Sequence, residues 1–441
     1  LLNNLNLFLA PLRKINNITT QSISFKQLLS SGRLTFLYRI LGLFLNFFIT
    51  FFITKNYGEG VYGNYSLIFT MLQASTMLFA LGLPNAIISY LGLHKIEDHF
   101  SQFILKKGLK IVLIATIIPC GFYFFFREFI ALDIFGNIEL IPYLKIIVFT
   151  LPFAIIHELI LNFFIATKNF LKFNIFMFLV PNFIFLLLLV IISISKENES
   201  ITFAFYSISI SITLIVECFF AFKKSETAIF EKLSTKQIIQ FSSSMMLSSL
   251  MLFLLNWTDV FMLGFLTSTR DVGIYNLAYK LASLTMLVII SMNVVLAPKI
   301  SELYRSNKLA ELHKTIKNAT RIVFLITIPI VLFLIVFGEI ILGMFGANFI
   351  EGKTALFIIA IGMLLNVMTG NVDQILNMTN NQKILRNITI FGFVANVALN
   401  TFLIPKYGIN GAAIASLITN VFFNAVCLLY IKRKLGFYTF V

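Results

Sequence analysis

The 441-residue chain is 59% hydrophobic and 12% charged, with a mean hydropathy of +0.92. That excludes a soluble globular protein, in which about 25% of residues are charged. The net charge of +15 would point to nucleic acid in a soluble chain. In a membrane chain it follows from Lys and Arg gathering on the cytoplasmic side, so no nucleic-acid partner is expected.

Residues 1–11 are short and apolar, with Lys and Arg after them rather than before them, so no cleavable signal peptide is expected. Twelve apolar runs then meet the ~20-residue requirement for crossing a bilayer. They lie near 33–54, 62–91, 103–126, 140–165, 172–194, 201–222, 238–266, 272–298, 318–345, 353–379, 387–404 and 409–431. With the N-terminus inside, about 25 of the 34 Lys and Arg fall on the inner side. The outer connections hold Lys55, Arg127, Lys145, Lys196, Arg270, Lys353 and Lys406. Both termini are therefore expected in the cytoplasm, and Arg39 and Lys280 are left deep within spans. The expected organisation is a cytoplasmic N-terminal segment 1–32, a six-helix lobe 33–222, a cytoplasmic linker 223–237, a second six-helix lobe 238–431 and a cytoplasmic tail 432–441.

The two halves repeat. Leu45-Asn46-Phe47 matches Leu255-Asn256-Trp257, and Gly63-x-Tyr65-x-Leu67 matches Gly273-x-Tyr275-x-Leu277. Ile118-Pro119 matches Ile328-Pro329, and Phe135-Gly136 matches Phe345-Gly346, all at one offset of about 210 residues, far beyond solenoid periods. Six spans per copy bring both copies in from the same side, which makes the repeat parallel, with its axis along the membrane normal. The fold class is thus an all-α integral membrane protein, with about twelve transmembrane helices in two six-helix bundles around a central cavity.

The motifs for chemistry are weak. Gly58-Glu59-Gly60-Val61-Tyr62-Gly63 has the G-x-G-x-x-G form, but it joins two membrane runs and lacks the strand a dinucleotide site needs. Its glycines read as a tight turn between helices. His157-Glu158 lacks a second histidine, because position 161 is Leu161, and His94, His99 and His313 have no cysteine partners. Cys120, Cys218 and Cys427 are scattered through apolar runs and read as core filler. No metal, no cofactor and no nucleophile–base pair is expected.

Polar stripes within the spans say more. Ser242, Ser249 and Asn256 recur every seven residues, with Asp259 three further on. Asn366, Thr369, Gly370, Asp373 and Asn377 share the spacing of one helical face. Such faces turn toward protein or water; they either hold the bundle together by hydrogen bonds or line a pathway. The repeat places Arg39 opposite Ser249, so Arg39 should face the same interior. It also places Asp259 opposite Ile49 and Lys280 opposite Thr70, so the copies differ in charge. Arg39 and Lys280 supply positive charge from opposite halves, which suits a phosphate or pyrophosphate; the alternative is pairing with Glu158, Asp259 or Asp373. Arg33, turned about 120° from Arg39, need not act with it. Gly82-Leu83-Pro84 and Pro298 fall late in corresponding spans, where a bend is expected.

The Tyr57-Gly58…Tyr62-Gly63-x-Tyr65 turn, Leu81-Gly82-Leu83, Asp259-x-x-Met262-Leu263-Gly264, Val272-Gly273-x-Tyr275-x-x-Ala278, Pro298-x-Ile300-Ser301 and Tyr407-Gly408-Ile409-x-Gly411-Ala412-Ala413 occur in order. Over residues 33–431 they resemble the polysaccharide-biosynthesis (Wzx-type) flippases of the multidrug/oligosaccharidyl-lipid/polysaccharide exporter superfamily. The resemblance implies alternating access and transfer of an undecaprenyl-pyrophosphate-linked oligosaccharide, an O-antigen or capsule repeat unit, to the outer leaflet of the bacterial cytoplasmic membrane. It implies no enzymatic chemistry, and a headgroup site matched by Arg39 and Lys280, with Arg33 a further candidate. It also implies coupling to a proton or sodium gradient, for which Asp259, Asn256, Glu158, Asp373 and Asn377 are the cavity candidates. Membrane lipids and other polysaccharide-assembly proteins are the implied partners. A cation-coupled drug or metabolite exporter is the alternative within the superfamily, and a polysaccharide polymerase or ligase the alternative outside it.

Overall fold

The computed structural model describes residues 22–93, 98–192, 199–222 and 235–440. The segment 1–21 and most of the expected linker, 223–234, lie outside the described residues. The described chain is helical throughout, with no strand among its elements. Among the described residues, nine helices are long and apolar enough to cross a membrane. Two of these, Ser22–Phe79 and Gln382–Leu435, are each two passes, broken at Gly58 (φ 82°) and Gly408 (φ 54°). Thr235–Leu266 supplies another, so the described residues make twelve passes.

The passes are α1 (22–57), α2 (59–93), α3 (98–134), α4 (Leu140–Ala166), α5 (170–192), α6 (Ile201–Ala221), α7 (Thr235–Leu266), α8 (269–305), α9 (Leu309–Phe345), α10 (353–378), α11 (382–407) and α12 (409–435). Their ends are called outer and inner after the orientation expected from charge. The first six helices are tied by aromatic contacts. Tyr65 of α2 stacks on Phe185 of α5 at 5.9 Å and meets Phe203 and Tyr206 of α6 edge-on. In the last six, α7 packs along α11 and α12, and α9 along α10. With no hydrophobic drive between helices in lipid, such close fit and small residues are what hold passes together.

The repeat shows itself at one crossing. At the outer end α2 lies against α8, and a Cβ on Gly63 would sit 1.6 Å from the Thr269 carbonyl oxygen. A Cβ on Gly273 would sit 2.3 Å from the Glu59 carbonyl oxygen. Each glycine of the repeat pair meets the residue four before the other, the reciprocity of a two-fold interface. Only residues without a side chain allow this approach, so the pseudo-symmetry axis runs between Gly63 and Gly273.

Several passes are irregular where the hydropathy pattern is smooth. α2 bends at Leu81 (φ 54°) and Gly82 (φ 70°), just before Pro84, as expected. In α8 the irregular turn is Ser283–Thr285, well before Pro298. α10 stops at Thr369, turns through Gly370 (φ 81°) and Asn371, and restarts as Val372–Met378. The stripe from Asn366 to Asn377 is therefore not one continuous helical face. Asp373 and Asn377 belong to the second, short helix, because the left-handed turn at Gly370 resets the helical phase.

Candidate functional site: the seam between the lobes

Two seams join the lobes below the crossing. On one, the inner arm of α2 (Leu83–Leu93) packs on α7, where a Cβ on Gly82 would come within 2.2 Å of the Ser242 carbonyl oxygen. Ser242 is fully buried and its hydroxyl donates to the Ile239 carbonyl, so this end of the α7 stripe is packing. On the other, α8 faces α1, whose side chains before Thr35 lie outside the described ones.

The cations flank that second seam. Lys280 of α8 crosses it: its ammonium donates to the hydroxyl of Thr50 on α1. The Thr50 hydroxyl in turn donates to the Asn46 carbonyl at 2.8 Å. Arg39, eleven residues before Thr50, lies within about 20° of it around α1 and about 16 Å further in. It is half-buried and has no hydrogen bond or ion pair among the described residues. Arg39 and Lys280 thus share one strip without converging on one point. The side chain of Arg33 lies outside the described ones, as do those of Ser249 and Asn256.

The carboxylates are not paired with these cations. Asp259, 3% exposed, accepts from the Tyr275 hydroxyl at 2.5 Å, from Asn400 Nδ2 at 2.8 Å and from the Ser416 hydroxyl. Asn400 Nδ2 also donates to Asn396 Oδ1 at 3.0 Å, while Asn400 Oδ1 is buried with no partner. α7, α8, α11 and α12 meet at this carboxylate. Glu158 of α4 is half-buried, accepts from Asn162 Nδ2 at 2.9 Å, and lines a cavity of about 310 Å³ with Gln73, Thr76, Asn85 and Met246. Asp373 stands in the first turn of the short α10 segment. Asn377, half-buried on that segment, accepts from Gln382 Nε2 at 2.9 Å through its backbone carbonyl.

Sequence reasoning missed two features. His157 Nδ1 lies 2.9 Å from the carboxyl of Glu217, which is fully buried on α6. A lone acid in the apolar run of α6 was the available signal, since an ionisable group inside a span is rarely idle. At the outer ends, Arg270 donates from Nε to Glu59 at 3.2 Å and as a fork to Glu351 at 2.9 and 2.7 Å. Asn348 Nδ2 adds a bond to Glu59 at 2.6 Å, and Asn137 Nδ2 bonds both Asn64 and Thr269 at 3.1 Å. These groups fasten one lobe to the other at their outer ends.

The model of a family described as polysaccharide biosynthesis protein matches residues 28–304. The chain belongs to that family. A second model, MatE, matches residues 244–402. Among individual relatives, the protein of Haloferax volcanii named "Probable low-salt glycan biosynthesis flippase Agl15" is 26% identical over 184 residues, 42% of this chain and 39% of the relative. The match thus spans about two-fifths of that relative's length. An inward-facing multidrug resistance MATE family transporter of the MOP superfamily superposes with a TM-score of 0.73 at 15% identity, over 89% of this chain and 94% of that one. The lipid II flippase MurJ in an inward closed conformation gives 0.70 at 16% identity, over 92% and 87%. The family member described here therefore has the two-lobe, twelve-helix fold of these transporters, and the family and fold expected from its sequence are borne out.

Proposed function

We propose that this family member is a flippase that moves a lipid-linked oligosaccharide across its membrane by alternating access, with no covalent chemistry of its own. The observation that carries the reading is the pair of cations on the seam between the lobes. Lys280 of α8 reaches across to Thr50 of α1, and Arg39, without a partner among the described residues, lies further along the same face of α1. A headgroup held there would sit between the lobes while its acyl or prenyl tail stays in lipid. Two stacked cations in low dielectric suit a phosphate or pyrophosphate moving past them in turn. The family match and the flippase named among the relatives support the same substrate class.

The finer parts of the proposal are an undecaprenyl-pyrophosphate carrier, an O-antigen or capsule repeat unit, and a bacterial cytoplasmic membrane with both chain termini inside. Membrane lipids surround the twelve passes, and other polysaccharide-assembly proteins would take the delivered unit. Coupling to a proton or sodium gradient belongs here too. We assign it first to Asp259, whose surroundings are oxygen-rich and include the unpartnered Asn400 Oδ1, as a hard cation requires. The MatE match over 244–402 keeps a cation-coupled drug or metabolite exporter as the second reading.

The test replaces Arg39 and Lys280 by alanine, singly and together, in cells that depend on this protein for surface glycan. Each single change should reduce export without lowering protein level. Normal export by the double variant would remove the headgroup role, and a drug-resistance phenotype with intact surface glycan would favour the exporter.

A further inference from the structure

The buried acid of the N-terminal lobe has no place in the path just described. Glu217 is fully buried on α6, and His157 on α4 is 8% exposed. The imidazole Nδ1 lies 2.9 Å from both carboxyl oxygens. A carboxylate beside a neutral imidazole would be a net charge in low dielectric, which is costly. One proton held between the two removes it, whether the pair is imidazolium–carboxylate or imidazole–carboxylic acid.

Other ionisable groups surround the pair. Glu158 follows His157 on α4, and its charge bears on both members. On α6, Cys218 is adjacent and Tyr206 lies further along; Tyr206 also senses Glu158. On α3, Lys106 and Lys110 are exposed and the Lys107 ammonium lies over the Phe103 ring at 5.4 Å. At the start of α5, the Lys172 ammonium lies between the rings of Phe164 and Phe220, at 5.8 and 5.2 Å. The inner arm of α2 brings Asn85 to the cavity and no ionisable group among its described side chains.

Glu158 joins this pair to a cavity. It lines the 310 Å³ cavity, where Thr76 is 6% exposed and its buried hydroxyl has no partner. We propose that His157 and Glu217 form a proton-binding site of the N-terminal lobe, loaded and emptied from that cavity through the carboxylate of Glu158. In loading, a proton taken up by Glu158 passes to the pair, Glu158 returns to carboxylate, and the pair becomes neutral. Occupancy of the site then sets whether the α4–α6 interface carries a buried charge, and so biases how that lobe packs. The site is separate from Asp259, and it stands or falls without reference to the transported substrate.

The test is a pH titration of the purified full chain in lipid nanodiscs, followed by infrared carboxyl bands and by nitrogen NMR of labelled histidine. Between about pH 5 and 9, where an imidazole near its ordinary range changes charge, one carboxyl or imidazolium signal should titrate. It should vanish in Glu217→Gln, which keeps a hydrogen-bonding partner for His157 but cannot hold the proton. Glu158→Gln should preserve the titrating signal and slow its response to a pH jump at least tenfold. A His157 signal that never changes over that range would overturn the proposal, and so would a titrating signal that survives Glu217→Gln. Should Glu217→Gln fail to fold, the wild-type titration and the Glu158→Gln pH jump decide, because an unchanged jump rate also overturns it.

Discussion

The outer and inner halves of this protein use the same repeat in opposite ways. At the outer end the copies meet symmetrically, with Gly63 on Thr269 and Gly273 on Glu59. Below, different contacts join the two seams: α2 closes on α7 at Gly82, and α8 reaches α1 through Lys280. The symmetric part is a close crossing, built from backbone contacts that tolerate no side chain. The asymmetric part carries the charge, since Ile49 stands where the other copy has Asp259, and Thr70 where it has Lys280. Duplication supplied the scaffold, and divergence at a few positions supplied the charge.

The most damaging way to break this comparison is to fill the crossing. Gly63→Val and Gly273→Val each drive a side chain into a backbone carbonyl, and each should cost about 3 kcal/mol or more, as overpacking does. Loss of folded protein, read by thermal unfolding in detergent, checks it; unchanged melting would mean that the lobes do not cross here. Next comes Asp259→Ala. It strands the donors of Tyr275, Asn400 and Ser416, which should lower stability by about 3 kcal/mol. Asp259→Asn should cost less stability while abolishing dependence on the coupling gradient. Stability equal to wild type for the alanine variant would show that this carboxylate is not the junction of its four helices.

On the seam between α8 and α1, Lys280→Ala or Arg39→Ala should cut transport at least about tenfold, or about 1.4 kcal/mol, with melting within a few degrees of wild type. The same substitution at Arg270, on the outer fastening, should change stability by less than about 1 kcal/mol, as exposed ion pairs do. Its effect belongs in the distribution of conformations, with the outer ends of Arg270→Ala more reactive to an impermeant thiol reagent through a cysteine placed at Asn348. Equal labelling of the variant and its parent would remove Arg270 from the fastening.

The sequence made the passes, the repeat and the glycine turn at Gly58 legible, because membrane length and collinear motifs survive in a single chain. It also singled out Arg39, Lys280 and Asp259, since charge within an apolar run stands out without any structure. What it hid was partnership. Asn400 and Ser416 approach Asp259 from far along the chain, and no spacing rule joins Glu217 to His157. The break in α10 was hidden for another reason. A lone glycine in an apolar run is tolerated in a helix, so Gly370 gave no sign of its left-handed turn. A stripe drawn through it ran across two helices.

The account rests on movement of a lipid-linked glycan along the strip between Arg39 and Lys280. The most direct measurement is leaflet location: whether an impermeant glycan-modifying reagent reaches the lipid-linked oligosaccharide in right-side-out vesicles. Vesicles from wild-type cells should expose it, and those from cells carrying Arg39→Ala with Lys280→Ala should keep it on the inner leaflet at normal protein level. Full exposure in the double variant would contradict the account.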